Sequence, residues 1–364
     1  MDAAAKALSP GALVQFQAHD GRSLGTGSFH PHNLICGRVF DRDAVTLDQA
    51  WFRARLQRAL ALRGRLYDAP YYRLVHAEAD GLPGLIIDRY GDCLAVQLNS
   101  AGMNGLQDVI VDALDHVLQP ATIVLRNDSG SRALEGLPSE VTVARGTMPE
   151  TLWLQENGLH FVLDMVTGQK TGWFYDQRVN RALVAGYCKG AQVLDVFCHT
   201  GGFALNAAQA EAVTVTGVDS SALALQCAAR AAERNGLAAK VQWQRGDAFA
   251  VLADYAAEGK KFDVVITDPP AFIKSRKDIA AGTRGYRKLI RHAAALVKPD
   301  GVYFIASCSH HLTLDSLTEQ LAAGLADAGR EGQVLHTVFA APDHPLHPHV
   351  PESAYLKGLL ARVF

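Results

Sequence analysis

The sequence predicts an α/β protein whose C-terminal half is a doubly wound, mostly parallel sheet, preceded by a small β domain and an α+β middle domain. From about residue 166, apolar runs typical of buried strands alternate strictly with helix-like segments. This is the pattern of a parallel sheet covered by helices on both faces. The length of 364 residues suggests two or three domains. A hydrophobic fraction of 49% with 20% charged residues excludes a disordered chain.

The first block, residues 1–45, contains three short strand-like runs, ALVQFQA, SLGTGSF and NLICGRVF. Asp20-Gly21 stands between the first two runs, and this dipeptide between alternating segments is a strong hairpin signal. We therefore expect a small β domain over residues 1–45.

The second block, residues 46–165, mixes helix and strand signals. Thr46 and Gln49 predict a capping box for a helix that runs to about Gly64. The runs YYRLVHA, GLIIDRY and CLAVQLN predict strands, and further along the chain we expect a helix near 104–118 and strands at 122–126 and 159–164. This order predicts an α+β middle domain.

The third block, residues 166–364, carries the alternating pattern. Strands are predicted at 193–197, 213–219, 241–246, 262–268 and 302–307. The Ala-rich segment 221–235 between two of them ends at Asn235-Gly236, which is a helix C-cap signal.

The cysteines and the N-terminus indicate a cytoplasmic, reduced protein. None of the six cysteines forms a CxxC pair, and their spacing is not that of a zinc site. We find no signal peptide and no run of 18 apolar residues. His344, His347 and His349 each lie next to a proline in a loop, and the stretch does not have the spacing of a zinc ligand set, so we predict no metal.

The ends of the first three strands of the third block predict a nucleoside cofactor. Gly201 and Gly202 stand where strand turns into helix, so a ligand can approach the helix N-terminus closely. Asp219 ends the second strand and can accept both hydroxyls of an adenosine ribose. The glycine-containing run 195–203 lacks a complete G-x-G-x-x-G. Asp247 follows the third strand, where it is placed to contact the adenine amine. These features favour S-adenosyl-L-methionine (SAM) over a dinucleotide; the alternative is an ordinary turn with solvated carboxylates.

Two later strand ends predict the reacting groups. The fourth strand ends in Asp268-Pro269-Pro270-Ala271-Phe272 and the fifth in Ser307-Cys308-Ser309, and neighbouring strands lie about 4.8 Å apart. Methylation of an exocyclic base amine needs only hydrogen-bond acceptors, which the Asp268 loop supplies. Methylation of pyrimidine carbon 5 needs a thiolate that adds to carbon 6. Cys308 is the candidate thiol, with Cys198 as a competitor that we expect to line the SAM pocket. A free cysteine is also common as a small buried hydrophobe.

The net charge of −2 is unevenly distributed, because one segment of the chain is strongly basic. Residues 274–292 hold seven basic residues and one acidic residue, so they carry +6 while the rest of the chain carries −8. Such charge beside a site favours phosphate contacts with RNA or DNA, although a solvated helix face would look similar.

At these motifs the chain resembles the ribosomal RNA large-subunit cytosine-5 methyltransferases of the RlmI type. The resemblance rests on GQKTGWFYDQRVNR, VLDVFCHTGGFAL, TDPPAF, RGYRKL and SCSHH, and is extended by ADGLPGLIIDRYG and PESAYLKG. It implies a PUA-like domain (1–45, shortened at its N-terminus), a middle domain (46–165) and a Rossmann-like class I methyltransferase domain with a seven-stranded sheet (166–364). It also implies ribosomal RNA as partner. Whether the chain forms a homodimer stays open.

The resemblance and the motifs together give the expected site residues. Cys308 is the nucleophile, and Asp268 orients or protonates the cytosine. The residues expected to bind SAM are Lys170, Thr171, Gly172, Asp176, Gln177, Arg178, Asp195, Phe197, Thr200, Gly201, Gly202, Asp219, Ser220, Asn235, Asp247, Ala248, Asp268 and Pro269. Those expected to contact RNA are Pro270, Phe272, Lys274, Arg276, Lys277, Arg284, Arg287 and Lys288.

Two other functions remain open at this stage. One is a SAM-dependent methyltransferase that acts on an exocyclic base amine through the Asp268 loop. The other is a non-catalytic RNA-binding relative that has kept the fold.

Overall fold

The computed structural model describes residues 3–163 and 172–364, which fall into two compact units. Among the described residues, the first unit comprises 3–154, 172–175 and Pro342–Pro351, and the second comprises Gln155–Leu163, Asp176–Ala341 and Glu352–Phe364. The three-domain division at residues 45 and 165 stays a prediction. Across the described ranges, every helix is too short or too polar to cross a membrane.

The first unit begins with a short helix and a three-stranded antiparallel sheet in the order β1-β2-β3. The elements are α1 (Ala3–Lys6), β1 (Ala12–Gln17), β2 (Ser23–Phe29) and β3 (Gly37–Asp41). The predicted hairpin is confirmed, since β1 pairs with β2 and Gly21 in the turn has a φ of +82°. Such a left-handed conformation is open to glycine at little cost.

The rest of the first unit is a five-stranded sheet, in the order β4-β5-β6-β7-β8, with helices packed on it. Its elements are α2 (Gln49–Leu66), β4 (Tyr71–His76), β5 (Leu85–Tyr90), β6 (Cys93–Leu98), α3 (Ala101–Gly105), α4 (Gln107–Leu118), β7 (Thr122–Asn127), α5 (Ser131–Leu134) and β8 (Glu140–Arg145). The predicted capping box at Thr46 is wrong. Asp48 caps α2 instead, because its Oδ1 accepts the backbone N–H of Trp51 at 2.9 Å.

The remaining elements follow in chain order. They are β9 (Leu152–Glu156), β10 (Leu159–Leu163), α6 (Arg178–Ala185), β11 (Gln192–Val196), α7 (Gly202–Gln209), β12 (Thr214–Asp219), α8 (Ala222–Arg234), β13 (Val241–Arg245), α9 (Ala248–Ala257), β14 (Phe262–Thr267), α10 (Ile279–Ala294), β15 (Val297–Ser307), α11 (Leu314–Asp327), β16 (Gly332–Phe339) and β17 (Lys357–Val363). Short 3₁₀ helices cover Ala77–Asp80, Tyr175–Gln177, Ala238–Lys240, Arg276–Asp278 and Pro351–Ser353.

The second unit is built on a seven-stranded sheet in the order β13-β12-β11-β14-β15-β17-β16. The first five strands are parallel, and β17 runs antiparallel to both β15 and β16. The predicted doubly wound, mostly parallel sheet is therefore confirmed. The strand order reverses between β11 and β14, and ligands of such sheets bind at the carboxyl ends of the strands beside that reversal.

The strand register aligns the carboxyl ends of β12, β11, β14 and β15 with one another. Val196 on β11 pairs with both Val218 on β12 and Thr267 on β14, and Thr267 lies opposite Ile305 on β15. Their apolar side chains are buried between the helix layers, which accounts for the continuous apolar runs in the sequence. The loops that follow these strands share one edge, called the carboxyl edge below.

Candidate active site

The carboxyl edge gathers most of the residues expected to form the site. Two turns there carry the main features. The glycine turn (Phe197–Gly202) joins β11 to α7, and the cysteine turn (Ser307–Leu312) follows β15. Between them, Asp268 begins the loop after β14.

The backbone of the glycine turn is unusual. Phe197, His199 and Gly201 have φ values of 66°, 49° and 82°, a region that non-glycine residues rarely adopt and that costs of the order of 1 kcal/mol or more. A Cβ on Gly201 would lie 2.7 Å from the Trp243 ring, and one on Gly202 would lie 2.5 Å from Arg181 Nε. The neighbouring side chains therefore leave no room for a Cβ at either glycine. Strain of this kind is typical of functional sites.

Asp195, the buried carboxyl at the end of β11, has one oxygen without a hydrogen-bond partner among the described residues. Its Oδ2 accepts the N–H of Ala204 in α7 at 2.9 Å, while its Oδ1 has no hydrogen-bond partner among the described residues. The side chain is 0% exposed, and burial raises its pKa to about 8. An unsatisfied buried polar atom is costly. A cationic group at this edge would supply the missing partner and favour the ionised carboxylate.

Asp219 and Asp247 end the next two strands. Asp219 accepts the N–H groups of His199 and Ser221, both at 2.9 Å, so its carboxylate is held in place while each oxygen keeps a second lone pair. Asp247 is exposed and caps α9 through the N–H of Ala250. Ser220 is exposed next to Asp219, Ala248 is buried next to Asp247, and Thr200 is buried in the glycine turn.

These residues fit the cationic nucleoside SAM. The left-over oxygen of Asp195 suits a positively charged group, and the fixed carboxylate of Asp219 suits a diol. When bound, SAM supplies an electrophilic methyl group.

The cysteine turn is fixed by its serines. Ser307 and Ser309 are 0% and 1% exposed, whereas Cys308 between them is half-buried. The Ser307 hydroxyl donates to the hydroxyl of Tyr286 on α10 at 2.8 Å, and the Tyr286 and Ser309 hydroxyls are 2.9 Å apart. The N–H of Ser309 also donates to Ser307 Oγ at 3.2 Å. Both serines therefore point inward, which leaves Cys308 at the surface of the site.

The Asp268 loop is tied to the same turn. The N–H of Ile273 donates to Ser309 Oγ at 3.3 Å, and the Phe272 ring packs on that of Tyr286 with 4.8 Å between centroids. Asp268 is half-buried, Pro269 is buried and Pro270 is exposed. The loop after β14 and the thiol after β15 are thus fixed relative to each other.

Cys198, the competing thiol, is buried in the glycine turn. Burial, together with the nearby carboxylates of Asp195 and Asp219, raises the pKa of its thiol well above the ordinary value. A thiol in that environment stays protonated and is a poor nucleophile.

Sequence reasoning missed Tyr286 and Lys357. Lys357 begins β17 opposite Ser307, is 6% exposed, and donates from Nζ to the carbonyls of Ser309 and Leu312 at 2.6 and 2.7 Å. The available signal was a lysine at the start of a mostly apolar strand, KGLLARV. A lysine buried to this degree is uncommon.

Helix α10 presents one basic face, made of Arg284, Arg287, Lys288 and Arg291, all exposed. Their spacing places them on the same side of the helix, and the opposite side buries Tyr286 and Leu289. Arg287 forms a bidentate ion pair with Asp327 at 2.6 and 2.7 Å, and Lys288 Nζ lies 4.9 Å from the centroid of the Phe249 ring. Three further exposed cations precede the helix; they are Lys274, Arg276 and Lys277.

The remaining expected SAM residues are placed as follows. Asp176 Oδ2 accepts the hydroxyl of Tyr355 at 2.5 Å, Gln177 accepts the amide of Asn180 at 2.6 Å, and Arg178 donates to Glu156 at 3.3 Å. Gly172 has a φ of +115°. Lys170 and Thr171 lie outside the described residues.

Asn235 is not brought to the carboxyl edge. It follows the C-terminus of α8, and its amide exchanges hydrogen bonds with the backbone of His160 on β10 at 2.9 and 2.7 Å. A helix after a parallel strand runs back across the sheet, so its C-terminus lies at the opposite edge.

Comparisons with known proteins identify the family and the fold of this chain. The family model of S-adenosylmethionine-dependent methyltransferases matches residues 131–362, and that of the PUA-like domain matches residues 1–42. The ribosomal RNA large subunit methyltransferase I of Shewanella denitrificans is 40% identical over 361 residues, which cover 97% of this chain and 91% of that protein. The protein of the same name from Pseudoalteromonas atlantica is 37% identical over 361 residues, covering 98% and 91%.

Solved structures show the same fold. A crystal structure of a methyltransferase complexed with SAH superimposes with a TM-score of 0.85 at 23% identity, covering 97% of this chain and 92% of that one. A SAM-dependent methyltransferase from Streptococcus mutans gives a TM-score of 0.83 at 23% identity with the same coverage. The Rossmann-like C-terminal fold and the PUA-like N-terminal domain are thereby confirmed.

Proposed function

We propose a substrate and a mechanism for this chain, which belongs to the S-adenosylmethionine-dependent methyltransferases and, among them, to the family of ribosomal RNA large subunit methyltransferase I. The cofactor is SAM. The proposed substrate is the RNA of the large ribosomal subunit, and the proposed product is 5-methylcytosine. The names of the curated relatives support the RNA, and the cysteine turn supports the position on the base.

The observation that carries the proposal is the conformation of the cysteine turn. Two buried serines and Tyr286 hold it so that Cys308 is half-buried at the carboxyl edge, in the turn after the strand that neighbours the one ending at Asp268. Methylation of an exocyclic amine would not need a thiol at this place, whereas carbon 5 of cytosine is not nucleophilic until a thiolate has added to carbon 6.

The proposed mechanism uses these two residues in sequence. The Cys308 thiolate attacks carbon 6 of the cytosine, and Asp268, in its protonated form, holds the polar edge of the ring and gives its proton to the ring nitrogen that receives the displaced electron pair. Carbon 5 then accepts the methyl group. Loss of the carbon-5 proton lets the bond between Cys308 and carbon 6 break, which regenerates the thiolate.

The basic residues are proposed to hold the RNA backbone. The proposed contacts are Pro270, Phe272, Lys274, Arg276, Lys277, Arg284, Arg287 and Lys288. The cations among them are exposed on or just before α10, and the helix begins a few residues after the Asp268 loop. Contacts of this kind position an RNA without reading its sequence and weaken as salt rises.

The test is nucleoside mapping of large-subunit ribosomal RNA from cells that contain or lack this protein. We expect one 5-methylcytidine to disappear with the protein, and to return with the wild-type chain but not with C308A. Loss of an N-methylated base would instead support the exocyclic reaction, and an unchanged RNA would support a non-catalytic relative. Either outcome would overturn the proposal.

A further inference from the structure

Lys357 and Cys308 form a structural pair that the proposed mechanism does not yet use. Lys357 is the first residue of β17 and lies opposite Ser307 in the β15–β17 ladder, one residue before the thiol. It is 6% exposed, so its ammonium is largely removed from water. Burial of an unpaired charge in the protein interior is costly.

The contacts of Lys357 are to the backbone of the cysteine turn. Its Nζ donates to the carbonyl oxygens of Ser309 at 2.6 Å and Leu312 at 2.7 Å, on the C-terminal side of Cys308. An ammonium has three donors, and these two bonds draw both carbonyls toward one point. The turn is thus held by Tyr286 from one side and by Lys357 from the other.

The placement of Lys357 also puts a positive charge near the cysteine turn. Among the described residues no carboxylate is recorded within salt-bridge distance of Lys357, and its partners are neutral carbonyls. Burial lowers the pKa of Lys357 to about 8, and the thiol of Cys308 raises it in turn. The two groups are therefore electrostatically coupled, and the coupling acts equally on the thiol.

We propose that Lys357 is a positioning residue that fixes the cysteine turn and stabilises the thiolate of Cys308 by its positive charge. The role of the thiol in catalysis rests on the proposed function, whereas the coupling of the two groups does not. A nearby ammonium is one of the ordinary means by which proteins lower the pKa of a cysteine.

Other titratable groups face the same turn. Tyr286 approaches from α10, where burial raises its pKa, so it remains neutral. Asp268 follows β14, and a carboxylate at that position disfavours a thiolate. His310 is exposed within the turn, and its ring lies 5.6 Å from that of Tyr355. Of these neighbours, Lys357 is the one whose charge favours the thiolate at neutral pH.

The experiment measures the alkylation of Cys308 by iodoacetamide as a function of pH in the full chain. Trypsin leaves Cys308 as the only cysteine of the fragment between Arg291 and Arg330, so mass spectrometry follows this thiol alone. The measurement needs no RNA and no turnover. Failure of this inference is therefore distinguishable from failure of the proposed function.

The variants are K357M, which keeps a long side chain without charge, and K357R, which keeps the charge. We expect K357M to raise the alkylation midpoint of Cys308 by about one pH unit or more, with a roughly tenfold slower reaction at pH 7. K357R should restore at least half of that shift. An unchanged midpoint in folded K357M would overturn the proposal, as would a K357R midpoint equal to that of K357M.

A comparison within the unaltered protein covers the case in which K357M does not fold. Cys36 is half-buried like Cys308 but lies in the other unit. We expect the Cys308 midpoint to lie below the Cys36 midpoint. A Cys308 midpoint at or above that of Cys36 would contradict a thiolate stabilised by Lys357.

Discussion

The glycine turn and the cysteine turn lie at the same edge of one sheet, each carries a cysteine, and yet they are built in opposite ways. The glycine turn is strained, with two non-glycine residues at positive φ, and it leaves an oxygen of Asp195 without a partner among the described residues. The cysteine turn has its serines, Tyr286 and Lys357 joined by hydrogen bonds. The glycine turn therefore lies beside a carboxyl oxygen with unused bonding capacity, whereas the serine hydroxyls of the cysteine turn already have hydrogen-bond partners.

This difference supports the two proposed roles, cofactor binding at the glycine turn and nucleophilic attack from the cysteine turn. A turn with an unsatisfied carboxyl and a close backbone suits a ligand that completes it, which is the property of a cofactor site. A turn whose groups are already satisfied suits a nucleophile that must stay in one position. The same contrast separates the thiols, since Cys198 is buried with a raised pKa and Cys308 is half-buried beside an ammonium.

The largest expected effect separates the two cysteines directly. C308A should lower the rate of methyl transfer to ribosomal RNA by about 10³-fold or more, because loss of a covalent nucleophile is among the most severe catalytic changes. C198A should stay within about fivefold of the wild type, because a buried cysteine is mainly a small hydrophobe. Rates measured with radiolabelled SAM under saturating RNA would decide. Equal losses in both variants would remove the contrast.

The second prediction concerns Asp195. D195N should weaken SAM binding about 30-fold at pH 8.5, because it removes a charge-assisted contact worth about 2 kcal/mol. Burial raises the pKa of Asp195 to about 8, so below that pH the free carboxyl is mostly neutral and the wild type loses part of its advantage. Calorimetric titrations of both proteins from pH 6 to 8.5 should show the ratio of their dissociation constants rising with pH. A constant ratio would count against an ionised Asp195 in the complex.

The same carboxyl gives a stability signature. A folded-state pKa raised above the unfolded value means that Asp195 favours folding at low pH and loses this contribution as the pH rises from about 4 toward 8. The melting temperature of D195N minus that of the wild type should therefore be larger at pH 8 than at pH 5. The reverse trend in thermal unfolding would show that the carboxyl is not neutral in the folded state.

A third, smaller effect tests the rigidity of the cysteine turn. Y286F removes the hydroxyl between Ser307 and Ser309, and we expect kcat to fall about tenfold because the thiol loses its fixed position. Y303F is the matched control, because Tyr303 is also buried and its hydroxyl lies 2.8 Å from Thr267 Oγ1, away from the turn. Both variants should lose about 1 kcal/mol of stability in urea unfolding. A similar fall in kcat in Y303F would mean that general destabilisation is responsible.

The smallest expected effect concerns the basic residues. The double variant K274Q/R284Q should reduce the slope of log affinity for single-stranded RNA against log salt by about 1.4, because each phosphate contact contributes about 0.7. K189Q is the control, since Lys189 is exposed but precedes β11 at the opposite edge of the sheet. Filter-binding titrations between low and moderate salt would measure both. An unchanged slope in the double variant would place the RNA elsewhere.

The sequence predicted the elements of the second unit well because buried parallel strands leave continuous apolar runs. The predicted strand at 262–268 and helix at 221–235 match β14 (Phe262–Thr267) and α8 (Ala222–Arg234) within a residue at each end. Strands β16 and β17 were not predicted, because they are separated by a long proline- and histidine-containing segment. Segment 342–351 groups with the first unit, which no local pattern indicates.

The candidate site was predictable where the chemistry follows from residues at strand ends. Asp268 and Cys308 were predicted to face one substrate because they end neighbouring strands, and β14 and β15 do pair in the sheet. Tyr286 and Lys357 were not found, since each acts through hydrogen bonds to a turn far away in sequence. The raised pKa of Asp195 depends on burial, which a sequence does not display.

The most direct test of the account is covalent trapping on the cysteine turn. The protein is incubated with SAM and a ribosomal RNA fragment in which the target cytidine is 5-fluorocytidine, whose carbon-5 fluorine cannot leave as the proton does. We expect a stable protein–RNA adduct that mass spectrometry maps to Cys308. C308A should abolish this adduct, and C198A should retain it. An adduct on Cys198, or full methyl transfer by C308A without any adduct, would contradict it.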